Sequence, residues 1–170
     1  MVANAGTPGA LASLSQEEYA GTGRWETAMN AAWIRRGATA LAAARTALGV
    51  VALTSPPLAA RPWVGAVAEG TPGRLLARAL GGRDLALGLG ALAALQRLPL
   101  AGTSQSGSEA GLWVGMGAMA DSVDLLATAI AWRQLPPVGR WLVAASAGGA
   151  AVAGAAAAWT LIAPGGEAPA

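Results

Sequence analysis

Cysteine, histidine, lysine and phenylalanine are all absent from this chain of 170 residues. Without Cys and His, disulfides, zinc sites of the usual ligand set, haem and iron–sulfur ligation, thiol nucleophiles and imidazole catalysis are excluded. Charge is scarce as well. Only 12% of the residues are charged, against roughly 25% in soluble domains. No catalytic residue, metal site or cofactor is expected from this vocabulary, and an enzyme is not the first expectation. The pI near 10.4 invites a nucleic-acid partner, but the net charge is only +2 and the arginines are scattered rather than striped. Nucleic acid is therefore left out.

What is present is apolar. Hydrophobic residues make up 54% of the chain, with 45 alanines, and all 11 basic residues are arginine. Ala, Gly, Pro and Arg codons are GC-rich while Lys and Phe codons are AT-rich, so the composition points to a bacterium with a GC-rich genome. The length allows about one domain.

Proline punctuates the chain at Pro8, at Pro56, Pro57, Pro62 and Pro72, at Pro99, at Pro136 and Pro137, and at Pro164 and Pro169. Proline removes a helical donor and clashes with the preceding turn, so these positions read as segments between helices. Four apolar stretches lie between them, roughly Gly37–Thr54, Leu75–Leu95, Gly111–Trp132 and Trp141–Ala163. Each is long enough to cross a hydrocarbon core of about 30 Å. Backbone groups in lipid must be bonded internally, so the stretches are expected to be helices. A soluble Ala-rich bundle would show a charged face on every helix, yet the fourth stretch carries no charge at all. Trp33, Trp63, Trp113, Trp132, Trp141 and Trp159 fall near the ends of these stretches, as an interfacial aromatic belt would place them. The expected fold class is all-α, an integral membrane four-helix bundle.

Three parts follow. Residues 1–30 form a polar N-terminal segment without the pattern of a cleavable signal peptide. Within it Ser15-Gln16-Glu17-Glu18 has capping-box spacing, with room for an interfacial helix from Glu18 to about Trp33. A short interfacial helix over Pro62–Ala68 is weighed equally against a loop. Residues 31–163 form the four-helix transmembrane domain, and residues 164–170 read as a disordered tail.

Five charges lie deep inside the spans: Arg45, Arg83, Asp84, Asp121 and Asp124. Counted from the span centres, all lie within about 5 Å of the midplane. A charge there costs about 2.5–3.5 kcal/mol, while each Leu or Val returns about 0.3–0.6. Five charges at one level therefore indicate a shared intramembrane cluster. Asp121 and Asp124 are three apart and share a helical face. The stripe Gly117–Asp121–Asp124–Thr128 is small or polar, as is Gly81–Asp84–Gly88, and Arg45 lies one turn from Gly49. Arg45, nine residues from either end of its span, is expected to pair with a carboxylate, Asp121 being favoured over Asp84 and Asp124. In the fourth span Ala147, Ala151 and Gly154 form a small-residue packing surface, available to another helix or another protein.

At Arg83–Asp84 and at Ala120-Asp121-Ser122-Val123-Asp124-Leu125 the chain resembles small four-span bacterial membrane proteins, loosely the DoxX-like group. That group shares an Arg in span one, a Gly-Gly-Arg-Asp-like turn in span two and an acidic pair in span three. The resemblance covers about Arg36 to Trp132, and implies a four-helix membrane bundle with no established reaction. The polar N-terminal segment departs from the pattern. So does the lack of cysteine, which speaks against the thiol-redox role suggested for some relatives.

Two functional readings stay open. In the first, the protein is a helper or accessory subunit packed against itself or a larger membrane complex, and the charges only fix helix register. In the second, the cluster binds or conducts a proton, a cation or a small cationic ligand, because three Asp face two Arg. Membrane lipid surrounds the protein in both, in a bacterial inner membrane crossed several times. Arg35 and Arg36, directly before the first span, favour cytoplasmic chain ends.

Overall fold

The structure, a computed structural model, describes the backbone of residues 8–101 and 104–163 and the side chains of residues 29–98 and 106–163. Among the described residues it is all helical, with no strand. In chain order come α1 (Pro8–Thr54), α2 (Pro56–Val64), a 3-10 segment (Gly65–Glu69), α3 (Thr71–Ala101), α4 (Ser104–Ile130) and α5 (Pro137–Ile162). The chain divides into two units, Met1–Arg36 and Gly37–Ala170. The tail expected over 164–170 lies outside the described residues.

In the first unit the helix begins at Pro8, so Ser15 is not a helix start and the expected capping box caps nothing. Proline suits a first helical position because its missing N–H would be unpaired there anyway. Trp33 is exposed, and the Arg36 guanidinium stands 5.3 Å from its ring centroid.

In the second unit, prolines sit inside helices as well as between them, contrary to the expectation. Pro56 and Pro57 open α2, and Pro137 opens α5. Pro62 lies within α2, where only its bond to the turn before is lost, and α3 runs through Pro99 to Ala101. The short helix expected over Pro62–Ala68 is also displaced: α2 ends at Val64, and a 3-10 segment follows.

Helices α1 and α3 meet through glycine. A Cβ on Gly49 would stand 2.6 Å from the Leu85 nitrogen, and one on Gly81 would stand 2.7 Å from the Ala52 Cβ. Both are closer than real Cβ atoms come, so only Gly lets the two backbones approach. Gly88 faces Ala42 and Thr46 one turn further along. A Cβ on Gly154 of α5 would stand 3.0 Å from the Ala118 Cβ of α4. With Ala147 buried too, the small-residue stripe of α5 is turned into the chain, though Ala151 is only half-buried. Trp113 lies across Gly90 between α3 and α4 rather than in an outer belt.

Helix α2 folds over one end of this unit. Gly139 meets the Pro62 carbonyl, and Gly65, at φ 68°, turns the chain beside Pro136. Trp132 and Trp141 pack edge to face at 4.8 Å, and Arg140 lies over the Trp132 ring.

Among the described residues two helical stretches are long and apolar enough to cross a membrane, Met29–Thr54 and Pro137–Ile162, each of 26 residues. That is about 39 Å of helix. Only 22% of each apolar window is buried, unlike the core helix of a soluble domain. Helices α3 and α4, of 31 and 27 residues, are as long but do not meet the same test of apolarity. Of the four expected spans, the first and the fourth pass by length and apolarity. Arg83 with Asp84, and Asp121 with Asp124, lower the apolarity of α3 and α4.

Candidate functional site

The five mid-helix charges belong to three elements, α1 (Arg45), α3 (Arg83, Asp84) and α4 (Asp121, Asp124). The structure brings all five together in one alternating chain. Arg45 Nη2 donates to Asp121 Oδ2 at 2.5 Å, and Arg45 Nη1 donates to Asp84 Oδ1 at 3.0 Å. Arg83 reaches the same Asp84 oxygen with Nε at 3.1 Å and Nη2 at 3.0 Å. It then holds Asp124 at two points, Nη1 to Oδ1 at 3.1 Å and Nη2 to Oδ2 at 2.8 Å. The order is Asp121–Arg45–Asp84–Arg83–Asp124, with a carboxylate at each end. Arg45 is therefore paired twice: with Asp121, the partner favoured from depth, and with Asp84.

Local packing accounts for the geometry. Gly49, one turn beyond Arg45, lets α1 lie close to α3, which brings Arg45 within reach of Asp84. Gly117 lies against the guanidinium, a Cβ there standing in ordinary contact at 3.4 Å from Arg45 Nε. Its carbonyl also accepts from Arg45 Nη2 at 3.0 Å. Thr128, wholly buried, returns its hydroxyl to the Asp124 carbonyl of its own helix. The three aspartates here are the only aspartates in the sequence, and the described glutamates, Glu69 and Glu109, pair elsewhere. Asp has a shorter side chain than Glu and loses less rotamer freedom when held in place.

The cluster borders a cavity of about 610 Å³ bounded by all five helices. Arg45, Arg83, Asp84, Asp121 and Asp124 form its polar wall, and Leu48, Leu58, Trp63, Leu80 and Leu142 are among its apolar lining. On its other side, towards Ala38, Ala91 and Trp113, Arg45 and Asp121 also border a void of about 20 Å³, room for about one water. The Arg45–Asp121 pair thus stands between a large space and a very small one.

No family model, curated protein or solved structure matches this chain. Geometry carries the argument alone.

The packing residues expected from the sequence serve different contacts. Gly81 and Gly88 join α3 to α1, Gly117 seats Arg45, and Gly154 joins α5 to α4. Ala147 lines the cavity. The sequence reading missed the cavity itself and the part α2 plays in it through Leu58, Pro62 and Trp63. No pattern in the chain marks α2 as a wall, because its placement depends on contacts with α5 more than 70 residues away.

Proposed function

We propose that this chain is a four-span protein of a bacterial inner membrane that binds a small ligand in the cavity beside its Arg–Asp chain. The observation that carries the binding reading is a largely apolar space with one convergent polar wall. Its volume of about 610 Å³ falls in the range of roughly 300–1,000 Å³ typical of small-molecule sites.

Support for the membrane comes from an inverted distribution of side-chain size. The buried set is mainly alanine, whereas Leu75, Met119, Ile130, Val152 and Trp159 are each about 70–80% exposed. Water would penalise such a surface over most of a molecule. Lipid does not, and helices in lipid pack through small residues. On this reading α3 and α4 also cross, because their four central charges are paired and a paired charge costs less there than a bare one.

Transport is the natural extension of the binding reading, with the Arg45–Asp121 pair as the barrier between the two spaces. A helper-subunit role drew on the small-residue stripe of α5. Gly154 is used within the chain and Ala147 lines the cavity, whereas Ala151 is only half-buried, so just part of that stripe stays open to a partner.

Thermal unfolding of the purified protein against a mixed panel of small amphiphiles tests the binding reading. At least one compound should raise the midpoint, and Ala147→Leu, which narrows the cavity, should reduce the shift for the bulkiest of them. A panel without effect on the unaltered protein, or shifts that Ala147→Leu leaves unchanged, would sink it.

A further inference from the structure

The ion chain has a polarity of its own. Each arginine is held by two carboxylates, and its donors are directed at Asp121, Asp84, Asp124 and the Gly117 carbonyl. The end carboxylates are differently placed. Asp121 and Asp124 each serve a single arginine, and among the described residues Asp121 accepts through Oδ2 alone. An ionised carboxylate has about four acceptor sites, so the ion chain offers the cavity spare acceptors, and the buried indole N–H of Trp63 is an unpaired donor among the lining residues. Two guanidiniums against three carboxylates leave a formal charge of −1. From these observations we infer that the cavity takes a monocationic amphiphile, an organic ammonium with an apolar body, its charged head at Asp121 and Asp124.

The walls select the body. Leu48, Leu58, Trp63, Leu80 and Leu142 bound the space, and they reward apolar area removed from water at roughly 25 cal/mol per Å². The ion chain selects the head. An anion arriving at this wall meets acceptors and must pull a guanidinium away from its carboxylates. A neutral hydroxyl can donate one hydrogen bond but leaves the surplus charge uncompensated in a medium of low dielectric. An ammonium supplies up to three donors and brings the site to neutrality. A bare divalent cation fits less well, because each carboxylate already holds a guanidinium. Among the described residues no three acidic groups converge as metal ligands do. The proton is the competitor, since protonating one end carboxylate also neutralises the site.

This inference rests on the ligand-binding reading, and one matched series separates the two. The full chain, purified in a nonionic detergent, is titrated calorimetrically with aminoadamantane, adamantanol and adamantane carboxylate, which share an apolar body and differ in head group. The amine should bind about tenfold tighter than the alcohol, the difference of one charge-assisted hydrogen bond, and the carboxylate should bind weakest. Asp121→Asn and Asp124→Asn should each narrow the preference for amine over alcohol. Both variants leave each arginine paired through Asp84, so both should fold, which their unfolding midpoints will show. Equal affinity for amine and alcohol, with the ratio unmoved in both variants, overturns the cationic class and leaves the cavity reading standing. Binding by none of the three overturns both. A proton already holding the site shows as amine binding that releases a proton, read from buffers of different ionisation enthalpy, and it supports the charge count.

Discussion

Arg83 and Asp124 are joined at two points, Nη1 to Oδ1 at 3.1 Å and Nη2 to Oδ2 at 2.8 Å, and both residues sit inside their helices, Asp124 six residues before the end of α4. The fork of a guanidinium matches the plane of a carboxylate, so the pair sets the rotation of α3 against α4 as well as their separation. Lysine carries the charge without the fork. Arg83→Lys should therefore lower stability in detergent by about 1–3 kcal/mol, and Arg83→Ala by more, because the latter leaves the half-buried Asp124 without its cation. Chemical unfolding followed by tryptophan fluorescence measures both. Equal stability of Arg83→Lys and the unaltered protein would show that the two-point geometry is not used.

Sharing of Asp84 makes the Arg45–Asp121 pair asymmetric. Removing the Asp121 side chain leaves Arg45 on Asp84, whereas removing the Arg45 side chain strips Asp121 of its cation. Arg45→Ala should cost about 3–5 kcal/mol and Asp121→Ala clearly less. Combining the two should recover part of the Arg45→Ala loss, since breaking a buried pair hurts more than replacing it. Strictly additive losses in this double-mutant cycle would exclude coupling between the two residues.

A chain without cysteine is a ready background for labelling, because every thiol is then one placed by design. Glu109 and Gln134 lie at opposite ends of α4 and its following turn. With Glu109→Cys and Gln134→Cys introduced singly, a membrane-impermeant maleimide applied to intact cells should reach only one of them. Labelling of both, or of neither until lysis, would show that α4 does not cross. Arg78 donates to the Leu53 carbonyl at the end of α1, so it joins Arg61, Arg74, Arg133 and Arg140 at the end covered by α2. Within the second unit that end has five arginines against Arg97 at the other. The positive-inside count then favours Gln134 on the cytoplasmic side, the reverse of what Arg35 and Arg36 suggest by themselves. The same labelling decides it.

Much of this protein is legible from composition and counting. The absence of Cys and His, the charge-free stretch from Trp141 to Ala163 and the spacing of the prolines led to an all-helical chain. The depth of Arg45, Arg83, Asp84, Asp121 and Asp124 marked them as a candidate cluster, because a buried charge demands a partner whatever the fold. Depth along a helix is a property of one dimension, read at 1.5 Å per residue. Proline was a poorer guide. Pro62 and Pro99 stayed inside helices, since a single missing hydrogen bond is a local loss that packing can offset.

Rotation and crossing are properties of three dimensions, and the tertiary structure alone decided them. Whether Arg45 meets Asp121, Asp84 or both depends on how closely α1 approaches α3 at Gly49 and Gly81. The chain shows those glycines but not what faces them. Ala147 and Gly154 look equally able to serve a partner protein or a neighbouring helix, and contacts within the chain took them. The cavity exists because α2 folds over the helix ends through Gly65 and Gly139. That placement rests on contacts between residues far apart in sequence, and no local pattern of residues encodes it.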